Sequence, residues 1–330
     1  MANYKIVRKG KFAFNPMHVG RDEVLPIGLL EHDDRIIVSP AYTVFEIKDT
    51  SSLDKDYLMM WFRRREFDRK AWFTTDSSVR GGFSWDSLCD MDFPLPNLER
   101  QKESVHDYKI LFELIQNNFQ IIINLEKSIQ AIYRKWFLES DLKDLSKEFL
   151  SQYIDINPKL SIKRDLPVIY VEMDDLSTQS MCINNFSERI FTSGSKFQKN
   201  DTLLARITPS LENGKTGFVS FLKEGEVAFG STEFIVLRAK EAVSPYWVYC
   251  LARDDDFRSY AISSMVGSSG RQRVHEKYLN SYEIKRINPN TMSKFHKIAI
   301  PYFELIELKS LENQKLHIAK NLLLSKLSTH

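Results

Sequence analysis

The residues best suited to chemistry lie in two polar loops. The first reads Arg206-Ile-Thr-Pro-Ser-Leu-Glu-Asn-Gly-Lys-Thr-Gly217. Arg206, Thr208, Ser210, Asn213 and Lys215 bring guanidinium, hydroxyl, amide and ammonium groups to a backbone turned by Pro209 and Gly214. Such groups meet phosphates and base edges: arginine pairs with guanine, asparagine with adenine, hydroxyls with either. An ordinary polar hairpin loop has the same composition. The second loop reads Gly267-Ser-Ser-Gly-Arg-Gln-Arg-Val-His-Glu-Lys277. Ser268, Ser269, Arg271, Gln272, Arg273 and Lys277 lie before or at the start of an expected helix, whose free amides suit a phosphate. A capped helix start with solvated arginines reads the same way. A matching place nearer the N-terminus, Thr74-Thr-Asp-Ser-Ser-Val-Arg-Gly-Gly82, holds Ser78 and Arg80. The stretch before Asp22 carries Lys5, Arg8, Lys9, Lys11 and Arg21 around Asn15 and has no acid, and Arg63-Arg-Arg65 forms a second basic cluster. Each is either a DNA-facing patch or a solvated face.

Enzymatic chemistry finds little support. There is no GxxxxGK[ST] phosphate loop, no GxGxxG, no HExxH and no paired-cysteine metal site. Asn15-Pro16 and Asn157-Pro158 are followed by Met17 and Lys159. An adenine amino-methyltransferase would need a second proline and an aromatic there to grip a flipped base. The histidines are scattered without triad spacing. No catalytic residue, metal or cofactor is expected in this chain, and a cryptic nuclease would reveal itself by metal-dependent cleavage.

Composition sets the frame. The chain has 330 residues, 43% hydrophobic and 27% charged, which suits two packed domains. Lys+Arg is 46 and Asp+Glu is 44, so a polycation is excluded, although local charge can still bind nucleic acid. Cys89, Cys182 and Cys250 are too sparse for a disulfide framework. No apolar run approaches the roughly 18 residues of a membrane span, and no signal peptide opens the chain. A soluble, cytoplasmic protein away from membranes is expected.

The elements that must position the loops come as a long-range repeat. Gly10-Lys-Phe-Ala-Phe-Asn-Pro16 compares with Asn200-Asp-Thr-Leu-Leu-Ala-Arg-Ile-Thr-Pro209. Ser39 falls on Ser231 at an offset of 192, Arg65-Glu-Phe67 on Asp255-Asp-Phe257 at 190, and Arg80 on Arg271 and Leu88 on Leu279 at 191. Each copy ends in a helical tail. In the first tail, Val105, Tyr108, Phe112, Ile115, Phe119 and Ile122 step by 3 and 4, which is a coiled-coil seam that continues through Leu125, Ile129, Ile132 and Trp136. The helix should cover roughly 33 residues, about 50 Å. The second tail has Leu308, Leu311, Ile318 and Leu322 on one side. Helix burial in a globular core is the plain alternative for either seam. Because a globular unit separates the tails, their pairing should be antiparallel, through Phe112, Ile115, Phe119, Ile122, Ile129 and Ile132 against Leu311, Ile318 and Leu322. Pro289 and Pro301 read as start signals for the second tail. Between the tails, strands are expected at 166–172, 202–207, 217–222 and 233–238, and helices at 246–251 and 256–265.

The arrangement resembles the specificity subunits of Type I restriction-modification systems. The resemblance is carried by Asn200-Asp-Thr-Leu-Leu-Ala-Arg-Ile-Thr-Pro-Ser210, Asn213-Gly-Lys-Thr-Gly217, Gly230-Ser-Thr-Glu-Phe234, Gly267-Ser-Ser-Gly-Arg271 and Phe93-Pro-Leu-Pro-Asn-Leu-Glu-Arg-Gln101. It implies an α+β fold of two repeated mixed α/β target recognition domains separated by two long antiparallel coiled-coil helices. The expected limits are 1–100 for the first recognition domain, 101–145 for the central helix, 146–290 for the second recognition domain and 291–330 for the C-terminal helix. It also implies a non-catalytic reader of a split duplex DNA site. Such a subunit docks on methyltransferase (M) subunits and a restriction (R) subunit, which carry the S-adenosylmethionine, ATP and Mg. A structural subunit that tethers a methyltransferase without reading sequence is the alternative.

One departure stands out. About 50 residues separate Phe149 from Asp201 in the second copy, whereas only Met1 to Gly10 precede the matching point in the first. The first recognition domain is therefore expected to be N-terminally shortened by about 40 residues, with exposed strand edges. A second chain, self-association or a truncated product would each account for it.

Overall fold

A computed structural model describes residues 4–17, 24–75, 82–139, 146–163, 165–268 and 270–327. The chain divides into two units: residues 1–115 with 315–330, and residues 116–314.

The first unit starts with β1 (Lys5–Arg8), β2 (Phe12–Phe14), β3 (Ile27–Leu29), β4 (Arg35–Val38) and β5 (Thr43–Phe45). β2 lies between β3 and β5, antiparallel to both, and β1 pairs antiparallel with β4. The period of two along β2 sends Phe12 and Phe14 to the same face, where both are fully buried. They pack with α1 (Lys55–Phe62) and α2 (Arg65–Phe73) through Leu58, Met59, Trp61, Phe62 and Phe67. Asp54 caps α1 by accepting from the amides of Asp56 and Tyr57 at 2.8 and 3.0 Å. After α3 (Trp85–Cys89) comes α4 (Leu98–Tyr133), which runs for 36 residues and ends in a π turn at Arg134–Leu138. Gln101 at its start is fully buried and fully used: Oε1 accepts from Asp54 N, and Nε2 donates to Ser52 O and Pro96 O, each at 2.8 Å.

The second unit adds β6 (Lys147–Phe149), β7 (Ile154–Ile156), β8 (Pro167–Val171), β9 (Ser187–Ile190), β10 (Ser195–Gln198), β11 (Thr202–Ala205), β12 (Thr216–Phe218), β13 (Val227–Gly230) and β14 (Phe234–Ala239). These are followed by α5 (Pro245–Arg253), α6 (Asp255–Ser263), α7 (Glu276–Asn280), β15 (Glu283–Lys285) and α8 (Pro289–Lys326). One sheet has the order β12-β11-β14-β7, another β10-β13-β8-β9, and β6 pairs with β15. The main core joins α5 (Trp247, Tyr249, Leu251) to Phe218, Leu237, Phe295 and Phe303.

The repeat is visible element by element. β1, β2, β4, β5, α1, α2, α3 and α4 begin 190 to 192 residues before β10, β11, β13, β14, α5, α6, α7 and α8, and β3 begins 189 before β12. Phe67 and Phe257 occupy the same turn of the same helix, both buried, as do Leu88 and Leu279. Phe112-Glu-Leu-Ile115 recurs unchanged as Phe303-Glu-Leu-Ile306 at an offset of 191.

The long helices are antiparallel. Within the second unit the rings of Phe137 and Phe295 stack edge-on at 5.2 Å, and Asn118 Nδ2 donates to Asn313 Oδ1 at 3.1 Å. Within the first unit Val105 and Tyr108 cluster with Leu324 and Leu327. The seam differs from the expected one. Ile115, Ile122 and Ile129 are buried and Ile132 is half-buried, but Phe112 and Phe119 are more than a third exposed. Leu311, Ile318 and Leu322 are exposed as well. The reason is competition for the helix surface. The globular core takes the Met292, Phe295, Ala299, Phe303 and Ile306 face of α8, and the apolar row at 308–322 is left outside it. Period reveals an apolar face but not its partner. Pro301 also differs from expectation: it lies inside α8, where buried Ala299 and Phe303 hold the helix together on either side of it. The strand expected at 217–222 is confined to 216–218.

Phe112 and Phe303 give a direct test, since they share a repeat position but not an environment. Phe303→Ala should cost about 3–5 kcal/mol, and Phe112→Ala should cost about 1 kcal/mol or less. Urea denaturation of the two variants checks the contrast.

Candidate nucleic-acid interface

The two polar loops meet. Arg206 N donates to Glu233 O at 3.0 Å, and Val274 N donates to Arg206 O at 2.9 Å. Thr208 N donates to Gln272 O at 3.1 Å, and Gln272 N returns to Thr208 Oγ1 at 3.2 Å. Bridges of β type join Arg273 to Ile207 and to Val266. The bases of loops 206–217 and 266–274 are thus tied together at the start of β14.

A carboxylate locks this junction. Glu233 accepts from Arg273 Nε at 2.9 and 3.0 Å and from Nη2 at 2.7 Å, a two-pronged pair. Arg206 Nε approaches the same carboxylate at 3.9 Å and has no hydrogen bond among the described residues. The Arg273 hydrogen bonds hold the Glu233 carboxyl below the usual glutamate range, and the charge of Arg206 adds to the effect.

The first loop is internally fixed. Leu211 N donates to Ile207 O, Asn213 N to Pro209 O, Gly214 N to Leu211 O and Lys215 N to Ser210 O. Leu211 is fully buried and pins the loop to the core. The Thr208–Pro209 peptide is cis. Gly214 has φ +75°, a conformation that favours glycine, while a Cβ there would meet only the movable tip of Arg258, 2.8 Å from Nη1. Lys215 Nζ donates to Asp174 Oδ1 at 2.6 Å and to Met173 O at 3.1 Å. In the second loop, Arg271 N donates to Ser268 O at 3.0 Å, and Gly267 and Gly270 have φ of +137° and +77°.

The expected site residues therefore fall into groups. Asn213, Ser268, Arg271 and Lys277 are exposed, and Thr208, Ser210 and Gln272 are part-exposed. Arg206, Arg273 and Lys215 are drawn into internal ion pairs with Glu233 and Asp174, so their charge serves the loop bases first. The helix behind the second loop is short, since α7 spans five residues, and His275 places no side-chain cap on its first amides. Lys277 lies within α7, its Nζ 5.4 Å from the Tyr278 ring centroid. Asn15 belongs to the other unit and caps a turn there, its Oδ1 accepting from Met17 N at 3.0 Å. Arg21, Ser78, Arg80 and Ser269 lie outside the described residues.

Two acids were missed by reasoning from the loops alone. Glu233 stands just before the apolar run 234–237, and that adjoining charge was its signal. Asp174 lies 41 residues before Lys215 and gave none. Among the described residues no cluster of three or more His, Cys, Asp and Glu is placed to hold a metal ion, and no helix is long and apolar enough to cross a membrane.

Known proteins with related sequence point one way. The specificity subunit of the Type I restriction enzyme EcoAI from Escherichia coli is 28% identical over 174 residues, covering 51% of this chain and 29% of that protein. The specificity subunit of the Type I enzyme EcoEI from the same organism is 30% identical over 151 residues, covering 43% and 25%. This chain is similar to Type I specificity subunits. The matched stretch spans less than a third of either relative. The fold agrees: the Type I restriction-modification S subunit from M. genitalium superposes with a TM-score of 0.57 at 12% identity, over 97% of this chain and 83% of that one. No protein-family model matches the chain.

The Glu233 clamp has a definite pH signature. A depressed carboxyl pKa contributes stability that is present above the unfolded-state value and lost as pH falls through the folded-state value. The wild-type protein should exceed Glu233→Gln by about 1 kcal/mol or less, as for a part-exposed pair screened by solvent, with the margin closing below the usual glutamate range. Thermal denaturation of both proteins between neutral and acidic pH checks this.

Proposed function

We propose that this protein is the DNA sequence-specificity subunit of a Type I restriction-modification complex and has no catalytic activity of its own. It directs methyltransferase and restriction subunits to a split duplex target, and S-adenosylmethionine, ATP and Mg belong to those partners. The observation that carries the reading is the joining of the bases of loops 206–217 and 266–274 at the start of β14. Exposed Arg271 and Asn213 offer base-reading groups at the tips, while Thr208, Ser210 and Ser268 offer hydroxyls for phosphates. The similarity to the EcoAI and EcoEI specificity subunits supports the same reading.

The division of labour follows from the ion pairs. Arg273 and Lys215 are anchored by carboxylates and position the loops. Among the described residues the Arg206 side chain has a long ion pair to Glu233 and an Nε without a hydrogen bond, so it can turn toward an incoming strand. The first copy, with Asn15, Arg21, Ser78 and Arg80, is proposed to contribute the second half-site. The long antiparallel helices are proposed to connect the readers and carry the partner subunits.

The test is methylome sequencing of cells that carry this protein with its cognate methyltransferase. A split adenine-methylated motif is expected, and a complex that forms without methylating any motif would support the tethering alternative. In purified complexes, Arg271→Ala should weaken cognate duplex binding by about 1–3 kcal/mol if it reads a base, or lower the salt slope by about 1 if it contacts a phosphate. Equilibrium binding across a salt series distinguishes the two outcomes from no change.

A further inference from the structure

The two copies of the repeat differ in what covers them. In the second unit, three stretches between residues 154 and 181 lie along edges of the repeated core. β7 pairs with Leu237–Ala239 of β14, and β8 runs parallel to β13 at Phe229 and Gly230. The segment at 177–181 runs beside β12, where Thr216 N donates to Ser177 O at 3.2 Å and Phe218 N to Met181 O at 2.8 Å. In the first unit the corresponding edges of β5, β4 and β3 have no strand partner among the described residues. β5 stops at Phe45, whereas its counterpart β14 continues along β7.

The side chains show the same contrast. Ile36 and Ile37 are 39% and 71% exposed, and their counterparts Ala228 and Phe229 are 0% and 2% exposed. Phe112 is 44% exposed, against 3% for Phe303. In the second unit Phe218, Tyr249 and Phe303 pack together, and Met181 joins their cluster. The corresponding Leu29, Met59 and Phe112 line a hollow of about 400 Å³ in the first unit. Arg63, on the rim of that hollow, corresponds to Arg253, which donates to the Thr178 carbonyl of the covering segment at 2.9 Å.

We propose that the first unit binds a separate polypeptide segment of the same chemistry as residues 147–190. The segment supplies strands beside β4 and β5, an apolar plug of the Met181 kind over Phe112 and Met59, and a backbone carbonyl to Arg63. Strand addition to an open edge gives affinity through main-chain hydrogen bonds, and the plug gives specificity. A second copy of this chain is a poor donor. Withdrawing its own residues 147–190 would open the same edges in its second unit, with no net gain in contacts. The proposal concerns protein–protein contact and does not depend on the DNA-reading role.

The probe is a synthetic peptide with the sequence of residues 147–190, added to the full chain. Saturable one-to-one binding is expected, with slowed amide exchange at 27–29, 36–38 and 45–48. Ile37→Lys and Phe112→Lys, both at exposed positions compatible with folding, should each weaken binding about tenfold or more. Absence of saturable binding overturns the proposal. So does protection confined to residues 116–314, where the peptide would merely replace its own copy, or affinity unchanged in both variants. A chain that is already dimeric, with 36–38 protected before the peptide is added, overturns it in favour of self-association.

Discussion

The hydrogen bond between Asn118 and Asn313 sits in the middle of the long-helix pair, with Asn118 only 4% exposed. This polar pair among the buried isoleucines is satisfied in one register. Sliding either helix by a turn would leave the buried Asn118 amide without this partner, at about 1–3 kcal/mol for an unsatisfied group. Ile115, Ile122 and Ile129 supply non-directional attraction that a slipped pairing could recover in part. The asparagines supply direction. Phe137 against Phe295 in the second unit, and Tyr108 beside Leu324 in the first, fit the same alignment.

Much of the architecture was legible because a repeat tests itself. Phe67 with Phe257 and Leu88 with Leu279 were paired by spacing alone, and each pair is buried at equivalent turns. The strands at β8, β11 and β14 and the helices α5 and α6 also follow from pattern, since their apolar runs are bounded by turn residues. Partners were harder to read than elements. Leu311, Ile318 and Leu322 form a clear 3–4 row, yet the structure turns a different face of α8 to the core. Pro301 read as a start signal because local rules treat proline as punctuation, while the packing around Ala299 and Phe303 overrides that rule.

The loops were legible as surfaces but not as a junction. Their residue types announced polar recognition chemistry, and their closeness in space depended on pairings between residues more than sixty positions apart, such as Thr208 with Gln272. Charge gave a misleading impression at Arg273 and Lys215, which read as free cations and are held by Glu233 and Asp174. An acid far away in sequence neutralises a base only once the fold has brought them together. The five-residue length of α7 was likewise hidden, because Lys277 and the serines before it look the same ahead of a long helix or a short one.

The Glu233 clamp also separates two kinds of position within each loop. Below it, Thr208 and Gln272 bond to each other, the Arg273 side chain bonds to Glu233, and the Arg206 backbone bonds to Glu233 and Val274. Above it, Asn213 and Arg271 are bonded through their backbones, and both residues are exposed. A protein built this way can exchange its tips while its stem stays constant. Exchanging the exposed side chains there leaves the Leu211 anchor in the core in place, so selection can alter the outer surface without endangering the scaffold.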